Sequence, residues 1–143
     1  MIVEPFRPEH LNSLVVAPAQ RADYDAIVSA GYGATLASGL AWSGFINSRC
    51  IGCAGILRLT RHKGVAWALM SDRLSSARFA AVRACRRAIR IAGMARVEIH
   101  VVEGHEAGHA FARAMGAVLE TPEPMRYHGF NGRSEYLYAV ITE

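Results

Sequence analysis

The stretch from residue 65 to residue 116 leaves this chain few folds to choose from. It opens on VAWALM, residues 65–70, a run with no polar residue, which predicts a strand buried on both faces. Phe79, Val82, Cys85, Ile89 and Ala92 then recur at helical spacing. They predict a helix over residues 75–92, with Ser71, Asp72 or Ser75 as its cap and Gly93 as its stop. Residues 96–102 alternate, Val97, Ile99 and Val101 on one face and Glu98 and His100 on the other, which is the period of a strand. Gly104 separates that strand from a second helix over residues 105–115, ended by Gly116. Two strands joined through a helix run in the same direction, so this stretch sets a parallel pair.

The rest of the chain builds outward from that pair. Residues 2–6 read as an opening strand, Pro8 begins a helical turn through Leu14, and residues 21–38 read as a helix interrupted at Gly31 and Gly33. Residues 41–46 and 50–59 flank Asn47 and Ser48 as a hairpin. A strand at residues 117–121, a proline-rich break and a last hairpin follow, in which Phe130, Asn131 and Gly132 turn MRYH back onto EYLYAVI. The expected fold class is α/β (α+β). It is one three-layer domain over residues 1–143, with a mixed, mostly antiparallel central sheet and a central parallel strand pair flanked by helices.

Composition narrows the setting. No apolar run approaches the roughly 18 residues of a membrane span. The opening MIVEPFRPEH lacks the basic-then-apolar layout of a secretion signal, so a cytoplasmic protein without a membrane partner is expected. Three cysteines, an odd number, do not make a disulfide framework and are expected to be reduced. The net charge is +4, but fifteen of the sixteen basic residues are arginine and Lys63 is the sole lysine, a bias that a G·C-rich coding sequence produces by itself. Arg83, Arg86, Arg87 and Arg90 share one side of the first long helix without interleaved aromatics. They read as a solvated face rather than a nucleic-acid surface, and Trp42 and Trp67 read as core or sheet residues rather than stacking platforms.

Two motifs suggest metal or redox chemistry. GHEAGH, residues 104–109, contains H-E-x-x-H, which on a continuous helix presents two histidines to zinc and a glutamate to its bound water. Here the first histidine follows directly on a strand and a glycine turn. Ala112 and Met115 stand where the extended motif has glycine and histidine, and Glu120, Glu123 and His128 are the remaining candidates for a third ligand. The expectation is therefore no metal, with His105, Glu106 and His109 as capping or solvated residues and the glutamate set favourably against the helix dipole. CIGC, residues 50–53, lies in a predicted strand, where side chains three apart point to opposite faces. Its thiols are expected neither to pair nor to share a metal, unlike a redox pair at a helix start.

The layout of a buried strand, a helix, a second parallel strand and a helix closing at Gly116 resembles the GCN5-related N-acetyltransferase fold over the whole chain. More narrowly, AWALMSDR at 66–73 followed by a basic helix, then VEIHVVEGHEAGHAFARAMGAVLE and the terminal hairpin, resembles the gene-thirteen-type virion assembly proteins of short-tailed phages and their prophage relatives. The first resemblance implies an acyl-coenzyme A, acetyl-CoA in the simplest case, lying where the strands at 65–70 and 96–102 diverge. Its pyrophosphate would meet the turn after Met70, and backbone N–H groups at a helix start suit an anion. The matching residues are Met70, Ser71, Asp72, Arg73, Ser75, Ser76 and Arg78, although the family's two glycines are absent, as no glycine occurs between Gly64 and Gly93.

On the last helix the family pattern N-x-x-A-x-x-F-Y-x-x-x-G-F aligns His105, Gly108, Phe111, Ala112 and Gly116, leaving Ala112 in place of the tyrosine acid. For a base, Glu98 and His100 are the best-placed pair, since an imidazole beside a carboxylate can shuttle a proton. Tyr127 or His128 would have to replace the missing acid. The narrower resemblance thus implies a virion morphogenesis protein with phage structural partners, and the departures from the broader family's motifs imply weak or no coenzyme A binding and degenerate catalytic motifs. The alternative is an active N-acetyltransferase on a small-molecule or peptide amine.

Overall fold

The computed structural model describes residues 1–142, with Ser75 and Ser76 described in backbone alone. Seven strands form one sheet in the order β1-β2-β3-β4-β5-β7-β6. They are β1 Ile2–Pro5, β2 Leu40–Ile46, β3 Arg49–Arg58, β4 Lys63–Met70, β5 Arg96–Val102, β6 Val118–Leu119 and β7 Glu135–Ile141. Every pairing is antiparallel except β4 with β5. The mixed sheet with a central parallel pair is the architecture that the 65–116 stretch predicts.

Helices cover both faces. On one side lie a 3-10 turn at Pro8–Ser13, α1 Arg21–Ser29 and α2 Gly33–Ala37. Leu11 and Leu36 from this layer pack with Phe6, Cys53 and Leu69 of the chain below. On the other side α3 Arg78–Ala92 and α4 Glu106–Ala114 close over Ile56 and Val97, with Ile89, Ala92, Met115 and Phe111 filling the contact. Because neighbours alternate along a strand, Val97 facing α3 puts Glu98 and His100 toward the α1 side. Among the described residues no helix is long and apolar enough to cross a membrane.

Turn chemistry explains the boundaries. Asn47 and Ser48 both take positive φ, 49° and 63°, the left-handed pair that matches a two-residue turn to the twist of its strands. Gly93 ends α3 at φ 63°, its N–H reaching Arg90 O at 3.2 Å.

Three expectations need correction. The helix expected from residue 75 begins at Arg78, because a 3-10 segment, Asp72–Ala77, carries the chain away from β4 first. Phe79, expected on its apolar face, is consequently 78% exposed, and Ala81, Ile89 and Ala92 supply the buried positions. MRYH forms no strand: only Met125 bridges to Glu135, and the short β6 pairs with β7 instead. Pro122 and Pro124 lack the N–H groups that a continuous ladder would need. Finally, β4 is half-buried along most of its length rather than enclosed on both faces, since its far half borders a cleft.

Candidate active site

The parallel pair does not stay paired. Residues Lys63 to Ala66 of β4 align with Arg96 to Ile99 of β5, and the pairing stops there. β4 stays bonded to β3 through Met70 and β5 to β7 through Val102, so the sheet splays between the two. The cleft that opens has a volume of about 1340 Å³ and is walled by Trp67, Ala68, Met70, Ile99, His100 and Phe111, among others. A parted strand exposes backbone groups that must find partners. Here Gln20, at the start of α1, supplies them: its Nε2 donates to Ala68 O at 2.7 Å, and Met70 N–H donates to its Oε1 at 2.8 Å. Ala17 N–H completes the edge by donating to Met70 O at 2.9 Å. The side-chain amide of Gln20 thus stands where an amide-bearing ligand would bond.

The turn after Met70 is also largely self-satisfied. Ser71 is buried; its N–H donates to Ile51 O, and its Oγ accepts from Arg73 N at 3.1 Å. Leu74 N–H donates to Ser71 O. Ser71 is therefore the cap, one of the three expected for this helix, but of a 3-10 segment whose N–H groups are partly committed inward. Asp72, Arg73 and Arg78 are exposed, with Asp72 and Arg78 at the cleft wall. The side chains of Ser75 and Ser76 lie outside the described residues. The arginine charges remain available to an anion, whereas glycine-free backbone limits close approach.

Glu98 and His100 do come together, within a larger network. Glu98 is buried, and its Oε2 accepts from Arg96 Nε at 2.8 Å while its Oε1 lies 3.7 Å from Lys63 Nζ and 3.8 Å from His100 Nε2. Burial pushes its carboxyl up, but the Arg96 hydrogen bond and the Lys63 and Arg96 charges outweigh that and hold it below the usual range. It is a poor proton acceptor for the same reason. His100 is different: burial pushes its imidazole pKa down, against the pull of Glu135 and Glu98, which favours the neutral ring over the charged one. On its other side, His100 Nδ1 lies 3.8 Å from Glu135 Oε1, which also meets His128 Nδ1 at 3.2 Å. His128 therefore belongs to this network, while Tyr127, 86% exposed, lines a separate small pocket with Glu103, Arg126 and Arg133.

The H-E-x-x-H residues meet the expectation only in part. His105 stands at the N-cap position without a side-chain bond to the helix, Glu106 begins the helix exposed, and His109 is neither cap nor solvated: it is half-buried, its Nδ1 2.7 Å from Tyr138 Oη. The His105 ring folds back over Gly108, where a Cβ would overlap it. These side chains do not converge on one point. Glu120 instead pairs with Arg96.

The expectation that the two thiols of CIGC point to opposite faces is overturned, while both remain free. Cys50 and Cys53 are both buried with their sulfurs 3.7 Å apart. The register against β2 shifts between Gly44 and Phe45, from Gly52 to Cys50, leaving Ile51 as the extra residue of a β-bulge. That slip brings Cys50 onto the face of Cys53. The hydrogen bond from Cys53 lowers the Cys50 pKa to about 7 and pushes the Cys53 thiol up. Ser43 and His10 extend the chain, Ser43 Oγ lying 3.4 Å from Cys53 Sγ and 2.7 Å from His10 Nδ1.

Sequence reasoning missed Gln20 and Glu135. Gln20 acts on backbone that lies about fifty residues away in the chain, and Glu135 reads as an ordinary strand residue. Neither has a local signature.

No family model and no curated relative matches this chain. Solved structures do. An N-acetyltransferase from Staphylococcus aureus Mu50 aligns with a TM-score of 0.70 at 11% identity, covering 98% of this chain and 96% of that one. The ribosomal-protein-alanine N-acetyltransferase of Brucella melitensis aligns with a TM-score of 0.68 at 10% identity, over 99% and 100% of the two chains. The yncA protein of Salmonella typhimurium, solved with its cofactor acetyl-CoA, gives 0.65 at 9% identity over 99% and 94%. At such identities the likeness is one of fold, and together with the parted parallel pair it shows that this chain has the fold of the GCN5-related N-acetyltransferases.

Proposed function

We propose that this protein is an acyl-coenzyme A-dependent N-acyltransferase, acetyl-CoA being the simplest donor and a small-molecule or peptide amine the acceptor. The observation that carries the reading is the β4 edge parted from β5, where Ala68 and Met70 bond the amide of the Gln20 side chain. Coenzyme A carries amides in its pantetheine arm, and when bound it supplies the activated acyl thioester. Ala68 and Met70 would hold that arm once the Gln20 side chain swings aside. Arg78, at the cleft wall, and the exposed Arg73 would supply positive charge to the phosphates. His100 would take the proton from the acceptor amine, with Glu98 orienting its ring. His128, beside His100 with ring centroids 4.8 Å apart, is the better placed of the two candidate acids. Calorimetry with acetyl-CoA tests this directly. Saturable binding in wild type or in Gln20→Ala supports it, and no binding in either refutes it.

A second reading has its own support. Ala112 occupies the position of the family's tyrosine, and no glycine lies between Gly64 and Gly93. On this reading the fold is kept without chemistry, the cleft is sealed by Gln20, and the protein serves phage or prophage virion assembly in the host cytoplasm. Its signature is a stable protein that binds no acetyl-CoA even after Gln20 is removed.

A further inference from the structure

The zinc motif written in the sequence does not gather its ligands, but another set does. Among the described residues, His100 of β5, Glu135 of β7 and His128 of the intervening loop place one ligand atom each within 4.8 Å of one another. Two imidazoles turn Nδ1 toward the same carboxylate oxygen, at 3.8 Å for His100 and 3.2 Å for His128. Their rings meet edge to face with centroids 4.8 Å apart. The strands fix two of the three: Val102 pairs with Glu135 and His100 with Leu137, which puts His100 and Glu135 on one face of the sheet. The third is delivered by a loop whose base is the bridge between Met125 and Glu135. Gly129 lets that loop lie against the carboxylate, since a Cβ there would meet Arg133 O at 2.9 Å and Glu135 Cδ at 3.3 Å.

We propose that His100, His128 and Glu135 bind a divalent transition metal, zinc in the first instance, as a two-histidine, one-carboxylate site with an open position. That donor set is of the open catalytic type, and imidazole with carboxylate suits zinc, cobalt or nickel better than magnesium or calcium. An outer shell is already present: His100 Nε2 faces Glu98 Oε1 at 3.8 Å, and Glu98 is itself held by Arg96. A carboxylate behind the far nitrogen of a ligating histidine fixes its tautomer and raises its basicity. Zinc bonds of about 2.0–2.2 Å require the three donors to draw closer than they stand here. The His128 side chain, 41% exposed on its loop, is the one free to move. The site shares His100 and His128 with the proposed acyl transfer, although none of its ligands bonds the β4 edge. His100 alone also lines the cleft, so metal and proton acceptance would compete for that ring.

The test uses tag-free, chelator-stripped protein titrated with zinc against a chromogenic indicator, and with cobalt(II) followed by its visible spectrum. One equivalent per chain is expected, with cobalt bands of a nitrogen and oxygen environment. His128→Ala and Glu135→Gln should each lose at least 100-fold in affinity while keeping the wild-type circular dichroism, and Glu98→Gln should lose on the order of tenfold, as outer-shell changes do. His109→Ala and the double variant Cys50→Ser, Cys53→Ser should bind as wild type. No saturable zinc binding, binding unchanged in His128→Ala, or a sulfur-to-cobalt charge-transfer band would each overturn the proposal.

Discussion

The Met70 N–H donates to the side-chain oxygen of Gln20 across the mouth of the strand divergence, at 2.8 Å. With its partner bond to Ala68 O, this contact satisfies the edge that any amide ligand in the cleft would need. Each hydrogen bond contributes a net of roughly 0.5–1.5 kcal/mol, so displacing both costs a ligand about 1–3 kcal/mol. Gln20→Ala should therefore tighten acetyl-CoA binding by roughly 5- to 150-fold, read by calorimetry, and lower thermal stability. Unchanged or weaker binding would show that Gln20 does not compete for the edge.

Glu98 predicts a pH dependence. Its folded pKa is held below the usual range, by Arg96 and Lys63 against the opposing effect of burial, so its stabilisation is fully present above the ordinary carboxylate pKa. It is lost as pH falls through the depressed value. Glu98→Gln should be less stable than wild type by roughly 1–2 kcal/mol at neutral pH in urea denaturation. The gap should close in strong acid. A gap that persists there would assign the effect to packing instead.

Asp23 should behave in the opposite way. Burial, and then the charge of Glu135, raise its pKa against the pull of Arg133, and its Oδ1 is buried without a hydrogen-bond partner among the described residues. The charged form therefore destabilises the fold increasingly as pH rises from the ordinary value through the raised one. Asp23→Asn should raise Tm at neutral pH by roughly 2–4 °C and leave it unchanged below the ordinary aspartate pKa. A lower Tm at pH 7 would mean that the charge is engaged in the fold.

The bulge at Ile51 makes a prediction for the thiols. Cys50 should titrate with a midpoint of about 7, followed as thiolate absorbance in the ultraviolet. Cys53→Ala removes the hydrogen bond that lowers it and should return the midpoint toward the ordinary thiol value. With the sulfurs 3.7 Å apart, a mild oxidant should also convert the pair to an intramolecular disulfide, read as the loss of two thiols per chain. Two independent titrations at the ordinary value would contradict the shared face.

Periodicity and turn chemistry by themselves determined the architecture. The alternation of Val97, Ile99 and Val101, the apolar run at residues 65–70, and the glycines at 93, 104 and 116 set a parallel pair with its helices, because face and turn are local properties of a chain. The same local rule placed Glu98 and His100 on one face and His105 at a helix start rather than within one. Only the tertiary structure decided what those side chains meet. Gln20 reaches β4, Glu135 joins His100 and His128, and a single extra residue at Ile51 turns Cys50 toward Cys53. Such contacts depend on register and on close approach between distant segments, and a pattern along the chain carries neither.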